Sequence, residues 1–261
     1  MKLVLFIISL LFLTPNFFHK DLEPVPVYSQ SEKFDPLLSK LNTVDILVQY
    51  ADSIANANHI EQGTLAYAVC VDNILRNRFY HGFSEYRIDD NWIAAIGQHF
   101  FGFGLAAIVK PNDILKFGYG GCSQQTIVLM EVMERKHIPY RSVGFPHHYA
   151  SELNFGGKWY FFDPNMEPDI SDSQRLEQRW NCCADSLKKY YNTKRFTDLD
   201  WKFGKDLKVT LGKVNAAPAP KALAFQNITG ILSKTMWILP LIIAFKRKKT
   251  ITPDYPRAPV L

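Results

Sequence analysis

Apolar positions divide this chain into three regimes: a continuous apolar run near each end, and between them a body whose hydrophobic period changes partway along. In TVDILVQYADSIANA, Val44, Leu47, Val48 and Ala51 recur at helical spacing, which predicts a helix capped by Thr43. TLAYAVCVDNILRNRF repeats the pattern at Leu65, Ala68, Val69, Ile74 and Leu75, with Cys70 inside the apolar helix. DDNWIAAIGQHFFGFGLAAIV predicts a helix that breaks into a glycine-rich loop. From Cys122 a further helix places Leu129, Val132 and Met133 on one face and Glu131, Glu134 and Arg135 on another, ending near Pro139. Beyond it, YRSVGF, HHYASELNF and KWYFFDP are short, aromatic and β-branched, with Gly156-Gly157 as a turn. Helices leading into an antiparallel meander predict an α+β fold with a helical N-terminal part.

The two terminal runs predict a membrane protein. Met1-Lys2 leads into Leu3–Leu13, the charged start and short apolar stretch of a signal peptide. The bulky TPNFFHKDLEP that follows offers no small-residue cleavage site, so residues 1–19 are a signal peptide or an uncleaved N-terminal membrane anchor. Near the other end, 228–245 is interrupted by Lys234 and Pro240 yet long enough for a transmembrane helix, about 17–25 residues. A membrane-surface or packed helix is the alternative. Lys246, Arg247, Lys248 and Lys249 follow at once, the positive-inside signature. The expected organisation is a linker at 20–36, a folded domain at 37–212 on the extracytoplasmic side (periplasmic or extracellular), a Pro/Ala linker at 213–227, the span, and a basic cytoplasmic tail at 246–261.

Composition adds exclusions. With 47% hydrophobic and 21% charged residues the body is a folded domain rather than a disordered one. Most of the formal net charge of +5 belongs to the basic tail, so the body carries no basic stripe and a nucleic-acid partner is not expected. Cys70, Cys122, Cys182 and Cys183 form no CxxC pair and, with His147 and His148, no usual ligand spacing, so neither metal nor cofactor is expected. Cys70 paired with Cys182 or Cys183 would leave Cys122 free.

Cys122 stands out because GYGG precedes it and an apolar helix follows. Glycines there leave the approach to the backbone open, and a thiol at a helix start sits at the positive end of the dipole, which favours the nucleophilic thiolate. Unpaired N–H groups at the same place can receive an oxyanion. The meander offers a base and its orienter. With Asn154-Phe155-Gly156-Gly157 as the turn and Leu153 opposite Lys158, His148 falls opposite Asp163 on one face, as do Glu152 and Trp159, while His147 points to the other.

These residues carry a resemblance. GGCSQQTIVLMEVMERKHIPYRSV, followed by HHYASELNFGGKWYFFDP, resembles the transglutaminase-like superfamily of papain-like cysteine enzymes over roughly residues 92–168: a Cys opening a helix, a strand, a His followed four positions later by Glu, a glycine turn, Trp, and Asp-Pro. Ala150 departs from the aromatic often found two positions after the His. The resemblance implies a Cys122–His148–Asp163 triad acting on a peptide or protein amide through an acyl-enzyme, with hydrolysis favoured over cross-linking. It also implies a second oxyanion donor upstream of the Cys, for which Gln98 and Trp92 are the candidates. The alternative is a non-catalytic binding module of the same fold in an envelope assembly.

Overall fold

The N-terminal apolar run is a helix, α1 (Lys2–Leu13), closed by a 3-10 turn at Thr14–Phe17, in a computed structural model that describes residues 2–29, 32–102, 104–166, 191, 199–205 and 208–246. After a 3-10 turn at Pro36–Lys40 come α2 (Val44–Ala57) and α3 (Leu65–Arg78). Thr43 and Thr64 cap these two helices, each accepting a backbone N–H three residues on. A short strand β1 (Tyr80–His81) leads to α4 (Ile88–Phe101), which is kinked at Asn91, and to the one-turn α5 (Pro111–Ile114). Strand β2 (Tyr119–Gly120) pairs in parallel with β1, setting His81 beside Gly120.

The expected helix at the cysteine is α6 (Cys122–Arg135), followed by β3 (Tyr140–Gly144), β4 (Tyr149–Phe155) and β5 (Lys158–Phe162). A short helix α7 (Leu199–Phe203) precedes β6 (Thr210–Leu211), and the larger sheet has the antiparallel order β5-β4-β3-β6. Strand alternation divides its core. Tyr140, Leu153 and Phe162 pack with α6 and the N-terminal helices, whereas Val143, Ala150 and Phe161 pack with Phe203 and Tyr191. The fold is thus mixed helix and antiparallel sheet, α+β in class.

The hairpin register differs from expectation by two residues. Phe155 opposes Lys158 and Ser151 opposes Phe162, so the turn is the pair Gly156-Gly157 alone. Both glycines have positive φ (59° and 82°), the requirement of a two-residue turn that matches strand twist. Glu152 therefore opposes Phe161 and not Trp159. It is buried against Arg141 on β3 at 2.5 Å, and that guanidinium stacks 4.3 Å from the Trp159 ring.

The ends also depart from expectation. Residues 220–227, read as linker, open a helix α8 (Pro220–Thr235), and the expected continuous span is broken: α9 (Ile238–Phe245) is bent 50° from α8. No single helix among the described residues is long and apolar enough to cross a membrane. The start of the proposed span belongs to the domain. Asn91 donates to Thr229 Oγ1 and accepts from Ser233 Oγ, both at 2.9 Å, and Gln226 bonds the backbone of Ala107 and Val109. Hydropathy summed along a line does not register such buried polar pairs. The described residues of the expected linker at 20–36 are likewise docked rather than free: Ile88 N–H donates to Lys20 C=O, His81 N–H to Glu32, and Asp35 N–H to Asn77 C=O. Cys70 is a free, half-buried thiol. Cys182, Cys183 and the tail beyond Lys246 lie outside the described residues.

Candidate active site

Cys122 is the first residue of α6, and Gly121 before it has the extended backbone of a cap. A Cβ on Gly121 would come within 2.7 Å of the Phe83 ring, so this glycine lets an aromatic side chain lie against the loop beside the thiol. Two buried side chains hold that loop. Gln124 accepts the N–H groups of Gly121 and Ser84 and donates to the carbonyls of Ser84 and Ile108. Arg78, fully buried, donates to the carbonyls of Leu41, Leu115 and Phe117, fixing the chain just upstream. The thiol itself is half-buried.

His148 follows a tight turn after β3, in which Phe145 N–H donates to His148 C=O at 2.9 Å. Its Nε2 lies 2.6 Å from Asp163 Oδ2. The Cys122 side chain lies close enough to the same ring to act on its charge, and with Nε2 taken by Asp163 it is Nδ1 that is left for the sulfur. Thr126, one turn into α6, donates to Tyr149 C=O at 3.3 Å and so ties the helix start to the start of β4. Phe145 and Phe203 enclose the imidazole. The neighbouring His147 faces elsewhere, stacked on Trp201 at 4.1 Å.

Asp163 divides its oxygens. Oδ1 accepts the N–H groups of Asn165 and Met166 and forms the turn after β5, while Oδ2 accepts from His148 and, at 2.5 Å, from the Tyr191 hydroxyl. The carboxylate is fully buried. Burial works against its charge, yet His148 first, then Tyr191 and the Asn165 N–H, hold its pKa below the usual carboxylate value. Burial also works against a charged His148. The Asp163 carboxylate, by charge and hydrogen bond, outweighs it with help from Cys122, and the imidazole pKa is raised to about 9.

A second histidine borders the site. His81 is set beside Gly120 by the β1–β2 pairing, and its Nδ1 lies 3.3 Å from Asn165 Nδ2. Asn165 is two residues beyond Asp163, so one turn serves both imidazoles. With the amide donating, Nδ1 is the acceptor and Nε2 carries the proton. Burial, then the positive charge of Lys202, lowers the His81 pKa and keeps the ring neutral. No sequence spacing marks His81 or Tyr191, since each arrives from a distant segment. Asn165 was within reach of inspection as the residue completing Asp-Pro-Asn.

Gln98 and Trp92, expected as oxyanion donors, are elsewhere. Gln98 accepts from Leu105 N–H beyond the end of α4 at 2.7 Å, and Trp92 donates to Ser233 C=O on α8 at 3.0 Å while stacking on Phe12. Lying upstream in sequence did not bring them to the thiol, because α4 packs on α8 rather than on α6. Among the described residues no group of three His, Cys, Asp or Glu side chains is placed to hold a metal ion. No protein-family model, no curated protein and no solved structure matches the chain.

Proposed function

We propose that this protein is a thiol enzyme of the transglutaminase-like kind, acting on amide or peptide bonds. The observation that carries the reading is a buried imidazole held 2.6 Å from a buried carboxylate and lying beside a thiol at a helix tip, near enough for the sulfur to act on its charge. A cationic imidazole facing a cysteine is the setting in which the thiolate acts as nucleophile. Cys122 Sγ attacks the substrate carbonyl, forming a C–S bond and an oxyanion. His148 gives its proton to the leaving amine as the C–N bond breaks. The neutral imidazole then takes a proton from water, whose oxygen attacks the thioester carbonyl, and the C–S bond breaks to release the acid and restore the thiolate beside the imidazolium. An amine in place of water would give transamidation; water is always present, which favours hydrolysis. Asp163 orients the ring and stabilises its charge. The free N–H groups of the first turn of α6 meet the oxyanion, and His81, through Nε2–H, is the second donor.

Alkylation with iodoacetamide tests the reading. One cysteine reacts faster than free cysteine, the rapid phase is lost in Cys122→Ala, and it slows in His148→Ala. Labelling of Cys122 no faster than free cysteine would overturn catalysis and favour a non-catalytic binding module.

A further inference from the structure

The two apolar ends of the chain, far apart in sequence, are one structural unit. α9 packs along α1 rather than along the 3-10 turn that follows it, so it runs back towards Lys2. Ser9 Oγ donates to Trp237 C=O at 2.5 Å, and Ser9, Pro240 and Ala244 are buried in the contact. The outward faces are apolar as well: Leu3, Phe6 and Leu10 on α1 and Leu239, Ile242 and Phe245 on α9 are all exposed. A surface helix of a water-soluble domain carries a polar outer face, and this pair has none. Each such side chain left in water forgoes the gain of burial, and a contiguous apolar surface of this kind marks a docking face.

We infer that this helix pair seats in an anionic lipid bilayer, with acyl chains against the exposed faces and headgroup phosphates against the basic residues. Charge selects the lipid over a second copy of the chain. There is no Asp or Glu from Lys2 to Lys20, nor from Asn227 to Pro253. Basic residues stand at the end away from the domain, where Lys2 opens α1 and Lys246 follows α9 directly, with Arg247, Lys248 and Lys249 next in sequence, while Lys20 and Lys234 lie against the domain, bonded to Ile88 and Asp89. A self-complementary protein face has no use for one sign of charge, whereas phosphates do, at about 1 kcal/mol per basic residue near the surface. Neither helix reaches across the hydrocarbon alone, since twelve residues in α1 give about 18 Å and eight in α9 about 12 Å. The anchor is therefore the pair, and it differs from the single C-terminal span that the sequence predicts. The pair is fixed to the domain by Phe12 on Trp92 and, through α8, by the Asn91, Thr229 and Ser233 bonds.

Flotation of the full chain, diluted from detergent onto vesicles of phosphatidylcholine with or without phosphatidylglycerol, tests this. The chain should rise with the anionic vesicles. Replacing residues 246–249 by Gln should weaken that partition about a hundredfold or more, and Leu10→Asp with Ile242→Asp, both outward-facing, should abolish it with circular dichroism unchanged. Cys122→Ala should float as the wild type does, so the outcome is independent of the thiol chemistry. A chain that stays below both kinds of vesicle, and runs as a dimer that the double substitution dissociates, would overturn the inference.

Discussion

Asp163 and His148 meet diagonally rather than face to face. Extending the β4–β5 ladder sets Asp163 opposite Ala150, two positions from His148, yet Oδ2 and Nε2 are 2.6 Å apart. The proposed chemistry depends on this buried pair. Asp163→Asn should therefore lower kcat by about 10²–10⁴-fold with a smaller change in KM. The pH profile carries a sharper signature. With Asp163 present the alkaline limb of kcat/KM should fall near pH 9, where His148 loses its proton. With the carboxylate gone, burial opposes the charged imidazole with only Cys122 acting against it, and the limb should move to lower pH.

The same pair should register in stability. The folded pKa of His148 is raised, from an ordinary 6.5 to about 9. Its contribution is whole below the unfolded value and is lost as pH rises through the folded one. For a buried imidazole this amounts to on the order of 3 kcal/mol. Urea midpoints measured from pH 6 to 10 should fall across that window in the wild type and stay flatter in His148→Gln.

Tyr191 positions Asp163 without touching substrate. Tyr191→Phe removes one hydrogen bond to the charged oxygen, worth about 1.5–3 kcal/mol. It should leave KM nearly constant and reduce kcat. Because that bond helps hold the carboxylate ionised, its loss should also shift the pH profile, a readout that mere loosening of the fold would not move.

His81→Ala should reduce kcat by about 10²-fold, the loss typical of one oxyanion donor, with KM little affected. His81→Gln, whose amide can still donate, should recover part of the rate. Equal loss in both variants with unchanged kcat in a soluble amide assay of Asn165→Ala would assign His81 to packing alone.

Arg78 makes a prediction about folding. Arg78→Leu leaves the carbonyls of Leu41, Leu115 and Phe117 without their donor inside the core and should cost about 3–5 kcal/mol. Arg78→Lys should restore little, since an ammonium on a flexible stem cannot reproduce the planar fork. Thermal unfolding of the three proteins checks both statements.

What was legible in the sequence was local. Helical spacing placed Cys122 at a helix start, and strand alternation put His148 and Asp163 on one face. Even the wrong turn preserved that result: shortening it from four residues to Gly156-Gly157 moves the register by two, and alternation repeats every two residues. The illegible part was tertiary. His81 reaches the site through a two-residue parallel bridge, and Tyr191 comes from a remote segment. Gln98 and Trp92 were misplaced because order along the chain stood in for proximity. The docking of the expected span's first turns on the domain was not legible, because Thr229 and Ser233 look like weak interruptions of an apolar run until Asn91 is seen between them.

That three-residue polar clamp makes the terminal helices a pedestal and not a leash. A domain on a leash samples every orientation above the surface it is tied to, whereas one seated as inferred would hold Cys122 at a single height and tilt. Under the proposed chemistry, amide bonds presented at that height would be met again and again and those elsewhere passed over, so geometry would select the substrate before any side chain touched it.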